Sequence, residues 1–194
     1  PELANIIRAT EQKELGITAG LQDRVIQVYE GLVYMDFDKK LMEKQGHGNY
    51  VELNPSILPN LYIAYRTDLS EMSDIFHNNI RARFEAGENE IVDAMKYWAD
   101  ITDEGRDCLL SKDYDKLSEL MNSNFDLRAK LYKLSEGNLR MVKIARECGA
   151  SAKFTGSGGA IVGIYKDEAM FELLKEQFGK YSVEVIKPKI VKSN

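Results

Sequence analysis

Apolar residues recur at a helical spacing through the middle of this chain and at a strand spacing on either side, and this change of period restricts the fold most. Met72, Ile75, Phe76, Ile80 and Phe84 form one helical stripe ending at Gly87, and Ile91, Met95, Trp98, Thr102, Gly105 and Leu109 form a second. Leu117, Leu120 and Met121 predict a short third helix. Leu127, Leu131 and Leu134, followed by Leu139, Val142, Ala145 and Cys148, predict a long fourth one, interrupted near Gly137 and stopped by Gly149. Leu61 to Tyr65 predicts a strand before these helices. After them Ala152 to Phe154 and Ala160 to Tyr165 predict strands, Asp167 to Phe178 a helix, and Tyr181 to Ile186 a closing strand. Strands bracketing helices imply an α+β sandwich with the sheet in one layer and the helices in the other.

Upstream, a helical pattern from Ala4 to Leu15 closes at Gly16, and Ile17 to Gly20 is a short connection. Leu21, Val25, Val28 and Tyr29 mark a helix closed by Gly31, which puts Asp23 in a first turn. Leu32 to Phe37 and Tyr50 to Leu53 read as strands, with Asp38 to Asn49 as a hairpin connection. Asn54-Pro55 and Pro59-Asn60 punctuate the chain, so residues 1–54 read as the tail of an α/β unit and 55–194 as the α+β domain. There is no internal repeat and no low-complexity segment.

With 26 Lys plus Arg against 31 Asp plus Glu, a net charge of −5, the chain has no field that attracts phosphate backbones. The basic run Lys187 to Lys192 is too short for a nucleic-acid arm, so no nucleic-acid partner is expected. Apolar stretches run to only a few residues, as in Ala160-Ile161-Val162, so no membrane partner is expected, and the chain reads as soluble and cytoplasmic. His47 and His77 are the two imidazoles, and neither has a His or Cys at ligand spacing, which argues against a zinc site or a Ser-His-Asp triad. Cys108 and Cys148 lack C-x-x-C spacing and read as half-buried thiols. Pro1 stands where a helical pattern is already under way, so the chain is expected to be a fragment.

Thr155-Gly156-Ser157-Gly158-Gly159-Ala160 lets the backbone approach another object closely. It is neither a Walker A loop, which ends in Gly-Lys-Ser/Thr and opens a helix, nor a dinucleotide fingerprint, because it runs directly into a strand. Spacing alone leaves two readings open: a tight hairpin without a ligand, or a loop lying near phosphate.

Lys153 to Ala160 resembles the third conserved motif of the galactokinase, homoserine kinase, mevalonate kinase and phosphomevalonate kinase (GHMP) superfamily. Glu11 to Asp23 is similar to the galactokinase stretch ending in the catalytic aspartate, with Glu11, Gly16, Gly20 and Asp23 in register. Leu15 to Phe37, Asn122 to Asp126 and Ala152 to Ala160 resemble the glucuronokinases, and that resemblance runs over essentially the whole chain. Nothing matches the superfamily's principal ATP loop, of Pro-x-x-x-Gly-Leu-Gly-Ser-Ser type. The resemblance therefore implies the end of a GHMP-kinase N-terminal α/β domain (1–54) followed by a ferredoxin-like C-terminal domain (55–194). The missing N-terminal half would come from the same protein or a second chain.

The resemblance further implies an ATP- and Mg²⁺-dependent kinase acting on the anomeric hydroxyl of a sugar acid, D-glucuronate. It makes Asp23 the catalytic base, favoured as a carboxylate by the first turn of a helix, and Glu11 the Mg²⁺ ligand, with Glu14 a competing carboxylate nearby. Gly20 and Arg24 become substrate-binding residues, Arg24 through the sugar carboxylate or, alternatively, by orienting Asp23. Gly156, Ser157, Gly158 and Gly159 bind the nucleotide. Another acceptor (galactose, fucose, a heptose phosphate or mevalonate) and a non-catalytic ferredoxin-like binding module remain open.

Overall fold

The computed structural model describes residues 1–16, 20–66 and 80–190. They divide into two units, one of Pro1–Ser56 with Lys189 and Ile190, the other of Ile57–Pro188.

In the first unit, helices α1 (Glu2–Lys13) and α2 (Leu21–Tyr29) precede an antiparallel pair, β1 (Leu32–Asp36) and β2 (Asn49–Leu53), in register from Leu32 opposite Leu53 to Asp36 opposite Asn49. Leu21, Val25 and Val28 share one face of α2. That face packs with Ala4 of α1 and with Val33, Met35 and Tyr50 of the strands. Glu30 and Gly31, with φ of 59° and 62°, turn the chain from α2 into β1. The connection expected to be plain hairpin instead contains a helix, α3 (Lys39–Gln45). Asp38 caps it by accepting from the Lys40 and Leu41 amides at 2.9 and 3.1 Å, and Gly46 ends it with φ of 76°.

In the second unit, β3 (Leu61–Tyr65) is followed by residues 80–85, which are helical, and then by α4 (Asn89–Ser111), α5 (Tyr114–Leu131) and α6 (Glu136–Glu147). The chain continues through β4 (Lys153–Phe154), β5 (Ala160–Ile164), α7 (Glu168–Gly179) and β6 (Glu184–Ile186). The sheet order is β4-β5-β3-β6, every pair antiparallel. A central first strand, a helical crossover to an edge, a hairpin back and a second helical crossover make the ferredoxin-like α+β arrangement. Tyr62, Ala64, Phe154 and Ile161 of the sheet meet Phe125 of α5, Met141, Val142 and Ala145 of α6 and Phe171, Leu174 and Phe178 of α7 in one core.

Three helix expectations need correction, and a fourth cannot be followed. Of the first stripe, Met72, Ile75 and Phe76 lie outside the described residues, while Ile80 is buried and Phe84 exposed. The buried face of α4 is Ile91, Ala94, Ile101, Gly105 and Cys108 rather than the stripe through Met95, Thr102 and Leu109. Small Ala94 and Gly105 sit on this inner face, and a Cβ on Gly105 would lie 3.6 Å from Leu117 of α5. The expected short third helix and the first part of the fourth are one helix, α5, since no Gly or Pro interrupts residues 114–131. The break falls before Ser135, which caps α6, and Gly137 lies inside the first turn of α6. The last strand is shorter than expected because Ser182, with φ of 55°, still belongs to the turn after α7.

Cys108 and Cys148 are free and buried, and burial raises both thiols above their ordinary range, which disfavours the reactive thiolate. Among the described residues, no helix is long and apolar enough to cross a membrane.

Candidate functional site

The residues singled out from sequence fall into two groups, one in each unit. In the first, Gly20 is the N-cap of α2, in extended conformation with no side chain to cap the helix. A Cβ added to Gly20 would meet nothing within 4 Å among the described residues. Asp23 lies in the first turn of α2 with its side chain 76% exposed, whereas that of Arg24 is only 13% exposed. The Arg24 guanidinium bridges two helices. Its Nε donates to Glu11 Oε2 of α1 at 2.6 Å, a terminal nitrogen contacts the same oxygen, and the other donates to Asp23 Oδ2 at 3.2 Å.

Arg24 thus holds one oxygen of each carboxylate. Glu11 Oε1 and Asp23 Oδ1 have no hydrogen-bonding partner among the described residues. Mg²⁺ is commonly held by one or two carboxylates with water and substrate phosphates completing its shell. The open oxygen of Glu11 fits that use. No cluster of three or more His, Cys, Asp or Glu that could hold a metal without such help occurs among the described residues. Ile17, Thr18 and Ala19, between Gly16 and Gly20, lie outside the described residues.

The second group is the glycine turn, which is the β4–β5 hairpin loop. The Thr155 amide donates to the Ala160 carbonyl at 3.2 Å and closes it. Gly158 has φ of 152° and Gly159 of 75°, both in the region that favours glycine. Gly159 is tied on both sides. Its N–H donates to Asn138 Oδ1 at 2.8 Å, and its carbonyl accepts from the Arg66 amide at 2.8 Å. Arg128 donates to the Ser157 carbonyl at 3.4 Å. The consecutive N–H groups of Gly156, Ser157 and Gly158 donate to no group among the described residues, leaving three adjacent donors on a fixed loop. Such a run of amides suits an anion.

Sequence reasoning gave no role to Asn138, Arg128 or Lys153, all of which stand at this loop. Among the described residues, Asn138 and Ser151 are the buried polar side chains. Lys153 donates to the Phe154 carbonyl at 2.9 Å, and burial, reinforced by the charge of Arg128, lowers its pKa. The only sequence signal for Asn138 was its place three residues after a helix-capping serine, which marks a first turn and says nothing of burial. Tyr62 and Trp98 have structural roles. Tyr62 is fully buried with its hydroxyl on the Ser151 carbonyl at 2.8 Å, and Trp98 donates to the Asn124 carbonyl at 3.3 Å.

Residues 106–183 match the family described as GHMP kinases C terminal. The chain is 46% identical over 180 residues to Glucuronokinase 1 of Arabidopsis thaliana, covering 91% of this chain and 49% of that protein. It is 45% identical over 183 residues to Probable glucuronokinase 2 of the same plant, covering 91% and 50%. The chain thus spans about half the length of the curated relatives it matches. Among solved structures, L. major mevalonate kinase in complex with R-mevalonate aligns with a TM-score of 0.69 at 16% identity, covering 98% of this chain and 65% of that one. Lactococcus lactis galactokinase complexed with galactose aligns with a TM-score of 0.68 at 14% identity, covering 97% and 59%. At these identities the structures speak for the fold alone. By sequence the chain is similar to the glucuronokinases over most of its length, and its residues 106–183 match the GHMP kinase C-terminal family.

Proposed function

We propose that this chain forms the catalytic-base segment and C-terminal domain of an ATP-dependent sugar kinase that converts D-glucuronate to its 1-phosphate. The observation that carries the reading is the 46% identity with a glucuronokinase over 91% of the chain. The Arg24-bridged carboxylates and the three open loop amides supply chemistry suited to it.

In the proposed reaction the anomeric hydroxyl oxygen attacks the γ-phosphorus of ATP. A bond forms between that oxygen and phosphorus, the bond from phosphorus to the β,γ-bridging oxygen breaks, and ADP leaves. Asp23, exposed and held at one oxygen by Arg24, positions the hydroxyl and accepts its proton through Oδ1. Gly20, where a Cβ would meet nothing within 4 Å among the described residues, lets the acceptor approach the start of α2. Glu11 Oε1 would hold Mg²⁺, which would supply neutralisation of the charge on the phosphate oxygens. The amides of Gly156, Ser157 and Gly158 receive nucleotide phosphate, with Gly159 fixing the loop. The N-terminal half, from the same protein or a second chain, brings the principal ATP loop. Exposed Leu3 and Ile6 on α1 and Leu15 just after it, at 54, 60 and 64%, are apolar surface available to cover.

Intact mass of the purified material, followed by phosphoryl transfer from ATP to glucuronate, galactose, fucose and mevalonate, tests the whole reading. Turnover of glucuronate alone supports it. Turnover of a different acceptor keeps the kinase and changes its substrate, and inertness of a preparation that includes the complementing segment leaves the binding-module alternative.

Two substitutions test the parts. Gly156 has no positive φ, and a Cβ there would meet nothing within 4 Å among the described residues, so Gly156→Val should change stability by no more than about 0.5 kcal/mol. A branched side chain on one of the proposed phosphate-binding residues should nevertheless lower ATP affinity about tenfold or more, as when a buried hydrogen bond to a charged group is lost. Unchanged ATP affinity, with an unchanged melting temperature, would return the loop to the plain hairpin reading.

Arg24 has two readings, and its low exposure and engagement with both carboxylates favour orienting Asp23 over receiving a sugar carboxylate. Arg24→Gln should lower kcat by about 10²-fold on every acceptor, the scale of a misplaced catalytic group. A rise in KM for glucuronate alone, with galactose unaffected, would assign Arg24 to the substrate carboxylate instead.

A further inference from the structure

The hydrogen bonds around the glycine loop converge on a side chain that lies 21 residues away in sequence. Asn138 is fully buried in the first turn of α6. Its two amide ends face different partners. Oδ1 accepts from the Gly159 N–H at 2.8 Å, and Nδ2 donates to Ser135 Oγ at 3.0 Å. Ser135 in turn caps α6, its Oγ accepting from the Asn138 N–H. With the helix cap taking the nitrogen end, the oxygen end is directed at the loop.

The same amide also limits what the loop can contain. A Cβ on Gly158 would come 2.9 Å from Asn138 Nδ2, tighter than atoms pack, so the loop backbone lies directly against the Asn138 carboxamide. On the far side the Gly159 carbonyl is held by the Arg66 amide. Gly159 therefore has its donor and its acceptor both committed, and its peptide planes cannot rotate without breaking one of them. Gly156, Ser157 and Gly158, immediately before it, have N–H groups that donate to no group among the described residues.

We infer that Asn138 is a positioning residue, which by clamping Gly159 sets the shape in which the Gly156–Gly158 amides receive nucleotide phosphate. The nucleotide part of this inference rests on the function proposed above. Asn138 touches no reacting atom. It acts through the loop, and what it governs is nucleotide affinity rather than acceptor affinity or the chemical step.

Two variants separate positioning from simple packing. Asn138→Leu keeps the size and removes the acceptor. Asn138→Asp keeps an oxygen where Gly159 needs one, and Ser135 Oγ can donate to its other oxygen. Hydrogen exchange of the Gly159 amide, read in the chain itself, should quicken at least tenfold in Asn138→Leu and stay near wild type in Asn138→Asp. In the kinase assay, KM for ATP should rise about tenfold in Asn138→Leu, with KM for the acceptor unchanged, and return in Asn138→Asp.

Unchanged Gly159 exchange in Asn138→Leu overturns the inference, as does an equal rise in both KM values or a failure of Asn138→Asp to restore either readout. If Gly156→Val weakens ATP binding and Asn138→Leu does not, the positioning role alone fails. If neither variant affects ATP, the reading of the loop as a phosphate site fails and takes the Asn138 inference with it. If Asn138→Leu does not fold, Asn138→Ser, too short to reach Gly159 yet still polar, carries the same two readouts.

Discussion

Gly163→Ala should cost the second unit at least about 3 kcal/mol, at or above the upper end of what overpacking a well-filled core does. Gly163 lies in β5, opposite Tyr62 of β3. A Cβ there would stand 1.7 Å from the Ser151 carbonyl oxygen and 2.6 Å from Cε1 of Tyr62. Neither neighbour can yield cheaply. The Ser151 amide donates to the Ile164 carbonyl at 3.1 Å, and Ser151 Oγ accepts from the Ile164 amide at 2.9 Å, so the backbone at 151 is bound to β5 itself. Tyr62 is fully buried, and its hydroxyl donates to that same Ser151 carbonyl. Accommodating one methyl group means breaking this bond or moving β5 away from β3. Since whole domains are stable by only about 5–15 kcal/mol, the loss is a large share of what holds the unit folded. Urea denaturation reads it directly, with Gly156→Ala as the control that should shift the midpoint little. Equal midpoints for the two variants would mean that the sheet at Gly163 is far more compliant than its contacts imply.

Gly163 also marks how far sequence reading reached. Strands β3 and β5, helix α7 and the first-turn position of Asp23 were legible because each announces itself locally: a short apolar run after Pro59-Asn60 for Leu61–Tyr65, Asp167 before a 3.6-residue period, Gly31 closing α2. That the glycine of β5 receives a tyrosine ring was not, because the contact joins residues about a hundred positions apart. Helix α3 was missed for another reason. It has no buried residue, so hydrophobic periodicity had nothing to report, and its two punctuation marks, Asp38 and Gly46, read equally well as turn residues. The α5–α6 break was put at Gly137 because glycine usually disfavours a helix interior, yet in a first turn that cost is small, and Ser135 was the stronger signal.

The candidate site divides in the same way. Glu11, Gly20, Asp23, Arg24 and the glycine run are recognisable as a linear motif and its register. The sequence does not tell which atoms of Glu11 and Asp23 Arg24 occupies, because that follows from α1 and α2 packing through Ala4, Leu21 and Val25. Asn138 was hidden further still. A polar residue at the start of a helix is ordinarily exposed, and only the fold carries the β4–β5 loop onto it.

The arrangement at Asp23 leads to the prediction with the largest effect on turnover. Asp23→Asn keeps the shape of the side chain and an oxygen that can still accept from Arg24, and at 76% exposure it should not disturb the packing of α2. What it removes is the capacity to take the proton of the attacking hydroxyl. A positioned general base contributes about 10²–10⁴-fold, so phosphoryl transfer to glucuronate should fall by that factor. ATP affinity should not change, because no nucleotide contact is proposed for Asp23. The measurement is single-turnover transfer from γ-labelled ATP by the complete kinase, alongside ATP binding to the same preparation. Asp23→Ala adds a further distinction. If Asp23 only positions the acceptor, the asparagine should retain most activity and the alanine little, since an amide can still hold a hydroxyl. If it takes the proton, both should be equally inactive. Retention of transfer within about threefold by Asp23→Asn, less than 1 kcal/mol of barrier, would remove Asp23 from the chemistry. The role would then have to pass to a group supplied by the remainder of the enzyme, with the Arg24-bridged carboxylates left to hold α1 against α2.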